Sequence, residues 1–269
     1  MSVVAKALAL LEHFSIQTPE LGLSRLTRLA KRDKATTYRH LVALQELGFI
    51  EQNPETKAYR IGPAVLHLAE VREKTVPRRD GALAPLQRLA DATGETAHAS
   101  ILSGQTLHTL VSCEAQAHSI RAVIDLQKLP LHATASGICT LAFGPADLLE
   151  AAKADMARFT AHTATDPAAL AEVVGTAQGS GFGRSERGLE DDIYGFAAPL
   201  FDQTGQLAGA VAVASVASRV TEDLTRLIYQ ELIIASREIT HSWGGSVPAA
   251  IEALWADTLA TFKQKDPAP

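Results

Sequence analysis

Cysteine is scarce in this chain, and long apolar runs are missing from it. Cys113 and Cys139 are the only 2 cysteines, and they do not form a C-x-x-C pair. They read as buried thiols of a cytosolic protein, which excludes a disulfide framework or a zinc ribbon. No apolar run approaches the length of a membrane span, and the N-terminus lacks the basic start and cleavage site of a signal peptide. The expected place of action is the cytoplasm. Neither G-x-x-x-x-G-K-[ST] nor G-x-G-x-x-G occurs, so nucleotide use is not indicated. Ser136 sits outside any G-x-S-x-G elbow, and no serine–histidine–acid pattern is legible. His98, His108, His118, His132 and Cys113 never stand at an i, i+4 or tight C-x-x-C spacing. Isolated histidines on half-buried strands are usually hydrogen-bonded core residues, so no metal or other cofactor is expected.

The composition is that of an ordinary globular protein. Of 269 residues, 46% are hydrophobic and 20% charged, enough for two domains with cores of their own. The net charge of −5 argues against a generally basic nucleic-acid coat. It is unevenly spread: residues 1–75 hold 11 Lys and Arg against 8 Asp and Glu, a net +3, so the rest carries −8. A basic head on an acidic body fits DNA contact confined to one domain.

Residues 23–61 organise that head. Ser24 is the expected N-cap of a helix through Lys31, with Leu26, Leu29 and Ala30 on its inner face. Arg32-Asp33-Lys34 breaks the pattern. Thr37, Leu41, Leu44 and Leu47 then recur at helical spacing, and Gly48 follows as a stop. Residues 49–52 and 58–61 are β-prone and joined by Asn53-Pro54-Glu55-Thr56-Lys57, a turn sequence. Helix, turn, helix and hairpin together make a winged helix-turn-helix DNA reader. Its second helix would enter the major groove, with Arg39 suited to a guanine edge and Thr36 and Tyr38 to bases or phosphates. Between Ser24 and His40 there are 6 Lys and Arg against the single acid Asp33, matching an anionic backbone. Arg25, Lys34, Thr36, Tyr38, Arg39, Lys57 and Arg60 are the candidate DNA contacts. A charged helical hairpin that binds nothing is the plain alternative.

The rest of the chain reads as follows. Val4, Leu8, Leu11 and Phe14 predict an amphipathic helix over residues 3–14. Pro63 opens a helix with apolar Val65, Leu66, Leu68 and Ala69, expected to link the domains and pack on a partner subunit. A helix over 77–93 places Leu83, Leu86, Leu89 and Ala90 inward. Strands are expected over 95–102, 105–113 and 119–124; residues 131–143 pass through small residues into a helix, and further helices are expected over 145–159 and 168–180. A charged loop over 184–192, a hairpin of strands 194–201 and 206–216, and a long helix over 222–241 complete an α+β sensor domain with a mostly antiparallel sheet. Beyond it, Ile251, Leu254, Trp255, Leu259 and Phe262 share one face of an expected helix over 246–265.

Two sets of motifs resemble the IclR family of bacterial transcriptional regulators. In the head they are Lys34-Ala35-Thr36-Thr37-Tyr38-Arg39, Leu47-Gly48-Phe49-Ile50-Glu51 and Asn53-Pro54-Glu55-Thr56. The chain departs at Ala35, usually Ser, at His40, usually Leu, and at Lys57, usually the turn glycine. In the body they are Leu129-Pro130-Leu131-His132 through Gly137, Gly181-Phe182 with the acidic stretch to Asp192, and Phe196-Ala197-Ala198-Pro199-Leu200-Phe201-Asp202 followed by Gly205 and Gly209-Ala210. The resemblance spans residues 3 to 243 in order. It implies an α+β protein with an N-terminal winged helix-turn-helix domain (1–62), a linker helix (63–76), and a C-terminal GAF-like effector-binding domain (77–245), followed by a helical extension (246–269). Carried over residue by residue, the effector positions are Ala135, Ser136, Ser185, Ile193, Gly195, Ala212 and Ala214. Gly137 at the helix entrance and Arg121 join them as candidates for holding a carboxylate. Family members that take small carboxylates tend to have serines at the last-strand positions and a lysine where Ile138 stands. Alanines at both strand positions and Gly195 are expected to leave a roomier, less polar pocket. The expectation is a non-enzymatic regulator that binds double-stranded operator DNA as a homodimer or dimer of dimers and answers to an organic or aromatic acid. A small-molecule hydrolase with an appended winged helix is the runner-up, and a wing that binds protein is a third reading.

Overall fold

The computed structural model describes residues 2–124 and 128–265, and residues 266–269 of the extension lie outside that range. The chain divides into two compact units, Met1–Val76 and Pro77–Pro269.

In the first unit, α1 (Val3–Leu8) is followed by a 3₁₀ turn (Leu11–His13), then α2 (Leu23–Leu29) and α3 (Lys34–Glu46). Strands β1 (Ile50–Gln52) and β2 (Tyr59–Ile61) form the hairpin, and α4 (Ala64–Thr75) closes the unit. Leu10, Leu21, Leu26, Leu41, Leu44, Ile50 and Tyr59 make one buried cluster. Leu21 extends the hairpin by a reciprocal pair of 2.9 Å backbone bonds with Tyr59. Several expectations need correction here. The helix expected over 3–14 breaks after Leu8, and Val4 and Leu8 are exposed while Leu10 fills the core. Of the expected stripe, Leu11 and Phe14 do pack on this cluster. Ser24 is not a cap, because α2 begins one residue earlier behind Gly22, which has no side chain to offer. Leu47 and Leu29 also face solvent. The true cap is Asp33, whose carboxylate accepts from Thr36 N–H at 2.8 Å at the start of α3.

The second unit is a six-stranded antiparallel sheet in the order β5-β4-β3-β8-β7-β6. Its strands are β3 (Thr96–Ser103), β4 (Thr106–Cys113), β5 (Lys128–Leu129), β6 (Gly183–Glu186), β7 (Ile193–Phe201) and β8 (Leu207–Val216). Helices α5 (Arg78–Thr93) and α9 (Glu222–Ser242) cover one face, and α6 (Ala135–Phe143) covers the other. Helices α7 (Asp147–Lys153), α8 (Pro167–Ser180) and α10 (Ala249–Lys265) complete it, with α10 packed on α8 and α9.

The alternation of side chains explains these layers. On β8, Val211 and Val213 point into the large core beneath α5 and α9. Ala210 and Ala212 point the other way and meet Ala135 and Cys139 of α6. Bulk on one face and methyl groups on the other let α6 lie close against the sheet. Further expectations fail here. Residues 119–124 form no strand, because β5 takes the free edge of β4 at Leu107 and His108. The charged loop over 184–192 is in part β6, an edge strand paired with β7 from Gly183 to Glu186. Leu83 is turned outward, and α5 passes through Pro85. Among the described residues no helix is long and apolar enough to cross a membrane.

Candidate DNA-reading helix and effector cavity

In the first unit, Thr37, Leu41 and Leu44 anchor α3, and the turn to it from α2 uses Lys31 in a left-handed conformation. This leaves Lys34, Tyr38 and Arg39 exposed on the N-terminal half of α3, with Thr36 half-buried. Arg39 Nη2 donates to Thr36 Oγ1 at 3.1 Å, so the two side chains form one polar edge. The Asp33 carboxyl is held below its ordinary range by the Thr36 N–H it caps. Arg25 is exposed on α2. Arg60 is committed elsewhere: its Nε donates to Glu51 at 2.6 Å, and its Nη1 lies 3.5 Å from Glu20. The wing turn is built on Asn53, whose Oδ1 accepts from Glu55 N–H at 2.9 Å and Thr56 N–H at 3.2 Å. Lys57 then adopts φ +57° with its side chain exposed.

In the second unit a cavity of about 70 Å³ opens at the N-terminus of α6. Its lining brings together Ala135, Ser136, Ser185, Ile193, Gly195, Ala212 and Ala214, from four separate elements. Two candidates lie elsewhere. Arg121 pairs with Glu114, Nε to Oε2 2.5 Å, outside the cavity. Gly137 packs on Leu131, and its N–H is already capped by Thr134 Oγ1 at 3.0 Å. The N–H groups of Ala135 and Ser136, first in the helix, get no acceptor from the helix itself. Gly195 does not create room as expected: a Cβ there would stand 2.9 Å from the Ala135 methyl, so the missing side chain seats α6. Ser185 Oγ donates to Ala133 O at 2.7 Å and is therefore part of the wall.

Three lining features were not legible in the sequence. His98 on β3 faces the cavity because the antiparallel register sets it opposite Ala212. Its Nε2 lies 3.1 Å from Ser136 Oγ, its Nδ1 has no partner, and burial pushes the imidazole down to about 4. Ala122, Val123 and Ile124 form a flap, pinned by Thr96 Oγ1 donating to Ala122 O at 2.6 Å. Arg219 ties its earlier end, donating to Ile120 O at 2.9 Å and bidentately at 2.7 Å to Glu95, which is 1% exposed. Leu189 and Glu190 form the rim. Among the described residues, no three His, Cys, Asp or Glu converge to hold a metal ion.

A winged helix-turn-helix in one unit and a cavity at the start of α6 in the other are the parts of a class, the DNA-binding regulators that sense a small molecule directly. Residues 3–54 match the IclR helix-turn-helix domain, and residues 74–241 match the domain described as bacterial transcriptional regulator IclR C-terminal. The chain belongs to the IclR family of bacterial transcriptional regulators. It is a sequence-specific DNA-binding transcriptional regulator whose operator binding is modulated by a small-molecule effector.

Its relatives agree. It is 31% identical over 242 residues to the HTH-type transcriptional regulator BhcR of Paracoccus denitrificans, covering 87% of this chain and 85% of that one. It is 27% identical over 221 residues to XynR of Escherichia coli, covering 81% and 88%. The crystal structure of a candidate IclR regulator from Silicibacter sp. TM1040 matches with a TM-score of 0.87 and 37% identity over 93% of this chain and 99% of that one. An IclR homologue of Microbacterium hydrocarbonoxydans, solved with 4-hydroxybenzoate, shares the fold with a TM-score of 0.69 at 22% identity, over 89% and 100%.

Left-handed backbone costs an L-residue about 1–2 kcal/mol, partly offset in glycine by the greater freedom of its unfolded chain. Lys57→Gly should therefore raise the stability of the first unit by about 0.5–1 kcal/mol. Denaturant unfolding of the full chain, followed by a probe in the hairpin, measures this, and a loss of stability would contradict the strain at Lys57.

Proposed function

We propose that this regulator reads its operator through the N-terminal half of α3 in each copy of a homodimer, and that its effector is a small carboxylic acid with an apolar body. The work is done in the cytoplasm, on double-stranded DNA, and involves no catalysis. The cavity at the start of α6 carries this reading. Two helix N–H groups there suit an anionic head, and alanines, Ile193 and Leu129 offer an apolar wall for the remainder. Each buried methylene of that body would contribute about 0.8 kcal/mol. The 4-hydroxybenzoate held by the Microbacterium homologue is an acid of this kind.

One contact favours the hydrolase reading instead, the 3.1 Å approach of His98 Nε2 to Ser136 Oγ. A nucleophilic serine needs more than that. Nδ1 of His98 has no carboxylate to orient it, and an imidazole pushed down to about 4 is a weak general base. The regulator is the better reading.

Arg39→Ala should weaken operator binding by about 1–3 kcal/mol and relax one base preference. Binding titrations against operator variants test it, and parental affinity would remove α3 from the groove.

A two-fold operator asks for a two-fold protein, and α4 is the linker we assign to that contact. Leu66 is 73% exposed, and Leu68 and Val71 of the same helix are exposed as well. Sedimentation at micromolar concentration should give a dimer or tetramer, and a monomer would count against the α4 contact.

Ala212 stands fully buried in the cavity wall opposite His98. Ala212→Leu should fill the space, at an overpacking cost of about 1–3 kcal/mol, and abolish the thermal stabilisation given by benzoate while operator binding persists. Stabilisation by benzoate that survives the substitution would place the effector elsewhere.

A further inference from the structure

Among the described residues, the cavity of the second unit has no cation. None of its lining residues is Lys or Arg, and its one charged group, the Glu190 carboxylate, sits on an exposed loop at the rim. A carboxylate taken into such a place gives up its water and receives only the partial positive charge of the α6 end. An anion without a counter-charge is costly there. The lining does contain one base. His98 is 6% exposed, its Nε2 is fixed at 3.1 Å from Ser136 Oγ, and its buried Nδ1 has no hydrogen-bond partner. Buried polar atoms are nearly always paired, so a cavity-lining imidazole with one nitrogen unpaired has an unused position for a proton.

We propose that a carboxylate effector enters this cavity together with one proton from solvent, which His98 takes up on its imidazole, so that the imidazolium supplies the missing cation. The inference rests on the acid-effector reading above.

The surroundings permit the change of charge. Across from His98 stand Ala212 on β8 and Ser112 on β4. From α6 come the Ser136 hydroxyl and the Cys139 thiol, which burial pushes up and keeps neutral. Ser185 of β6 is bonded to Ala133 O, and among its described residues the flap lines the cavity with Ala122, Val123 and Ile124. Among the described residues Glu190 is the sole charge on the lining, and an acid favours the imidazolium. The sign follows. With the free imidazole down at about 4, His98 is neutral near pH 7, and an adjacent carboxylate raises that value. Protons are then taken up on binding, and affinity rises as pH falls, by at most about tenfold per pH unit.

Calorimetry on the full chain tests this at about pH 6 in two buffers of different ionisation enthalpy, with benzoate as probe and benzamide as its uncharged counterpart. The expected result is uptake of about half to one proton per benzoate and none per benzamide. His98→Gln, which keeps an amide for Ser136, should retain the parental unfolding temperature, bind benzoate at least about tenfold more weakly, and take up no proton. Histidine NMR of the parent protein gives an independent readout, since the benzoate-saturated ring should show both nitrogens protonated. Binding of benzoate without proton uptake overturns the proposal. So does uptake that persists in His98→Gln, which would mean the acid carries its own proton in. If neither benzoate nor the smaller 2-methylpropanoate binds at all, the acid-effector reading falls as well.

Discussion

The sensor unit depends on how closely α6 can approach the sheet. A helix ordinarily stands about 10 Å from the surface it covers, held off by its own side chains and those beneath it. Here the sheet offers Ala197, Ala210 and Ala212, and the helix offers Ala135 and Cys139. At Gly183 the approach is closer still. A Cβ on that residue would lie 2.3 Å from Ala135 O and 2.7 Å from Cys139 N, so only glycine fits. Bringing the helix down brings its first N–H groups down with it. They end beside His98 and the last alanines of β8, and the cavity is the space left where the helix stops.

The wall facing that helix end is held by polar bonds instead of packing. The flap over 119–124 has no strand neighbour and shows Ile120 and Val123 to solvent. Thr96 Oγ1 and the Glu95–Arg219 pair hold it from below. Arg219 is only part-exposed and Glu95 hardly at all, so loss of either partner leaves a charge stranded at a cost on the order of 3–5 kcal/mol. The surface pairs of the chain, such as Lys74 with Glu70, contribute under about 1 kcal/mol each. A wall tied at a few points, next to a packed helix, is the part of the unit with the least cooperative support.

How much of this was legible in the sequence varies with the range of the interaction. The reading helix was plain because Thr37, Leu41 and Leu44 repeat within a single element, and the wing because Asn53 and Pro54 set a local turn. Local periodicity misled where two apolar sets competed. Val4 and Leu8 fit a helical stripe as well as Leu10 does, and only the packing chose Leu10. The strand hairpin of β7 and β8 was legible, and so was the helix entrance at Ala135. His98 was not. Its chemistry depends on which face of β3 it occupies, and that is fixed by pairing with Ala212, more than a hundred residues away. Gly195 misleads for the same reason: a missing side chain reads as room until the neighbour that fills it, Ala135, is known. The flap looked like a strand because its residues favour one, but the edge it needed was taken by β5.

The C-terminal helix carries the same logic of close approach to the far side of the cavity wall. The matched family domain ends at residue 241, and α10 lies beyond it. Its Trp255 is 1% exposed, stacks near Phe182 at 5.9 Å between ring centres, and donates from Nε1 to Gly181 O at 2.8 Å. Gly181 ends α8 in a left-handed turn at φ +80°, and a Cβ there would lie 2.6 Å from the indole. Thr258 adds a bond to Ser180 O at 2.8 Å. The residues so fixed are the ones that launch β6, and β6 carries Ser185, which holds Ala133 at the entrance to α6. A burial of this size is worth several kcal/mol for one tryptophan. It acts on the start of the strand that fixes the cavity's outer wall, so the extension supports the sensor by holding the strand next to the site without contributing a side chain to it.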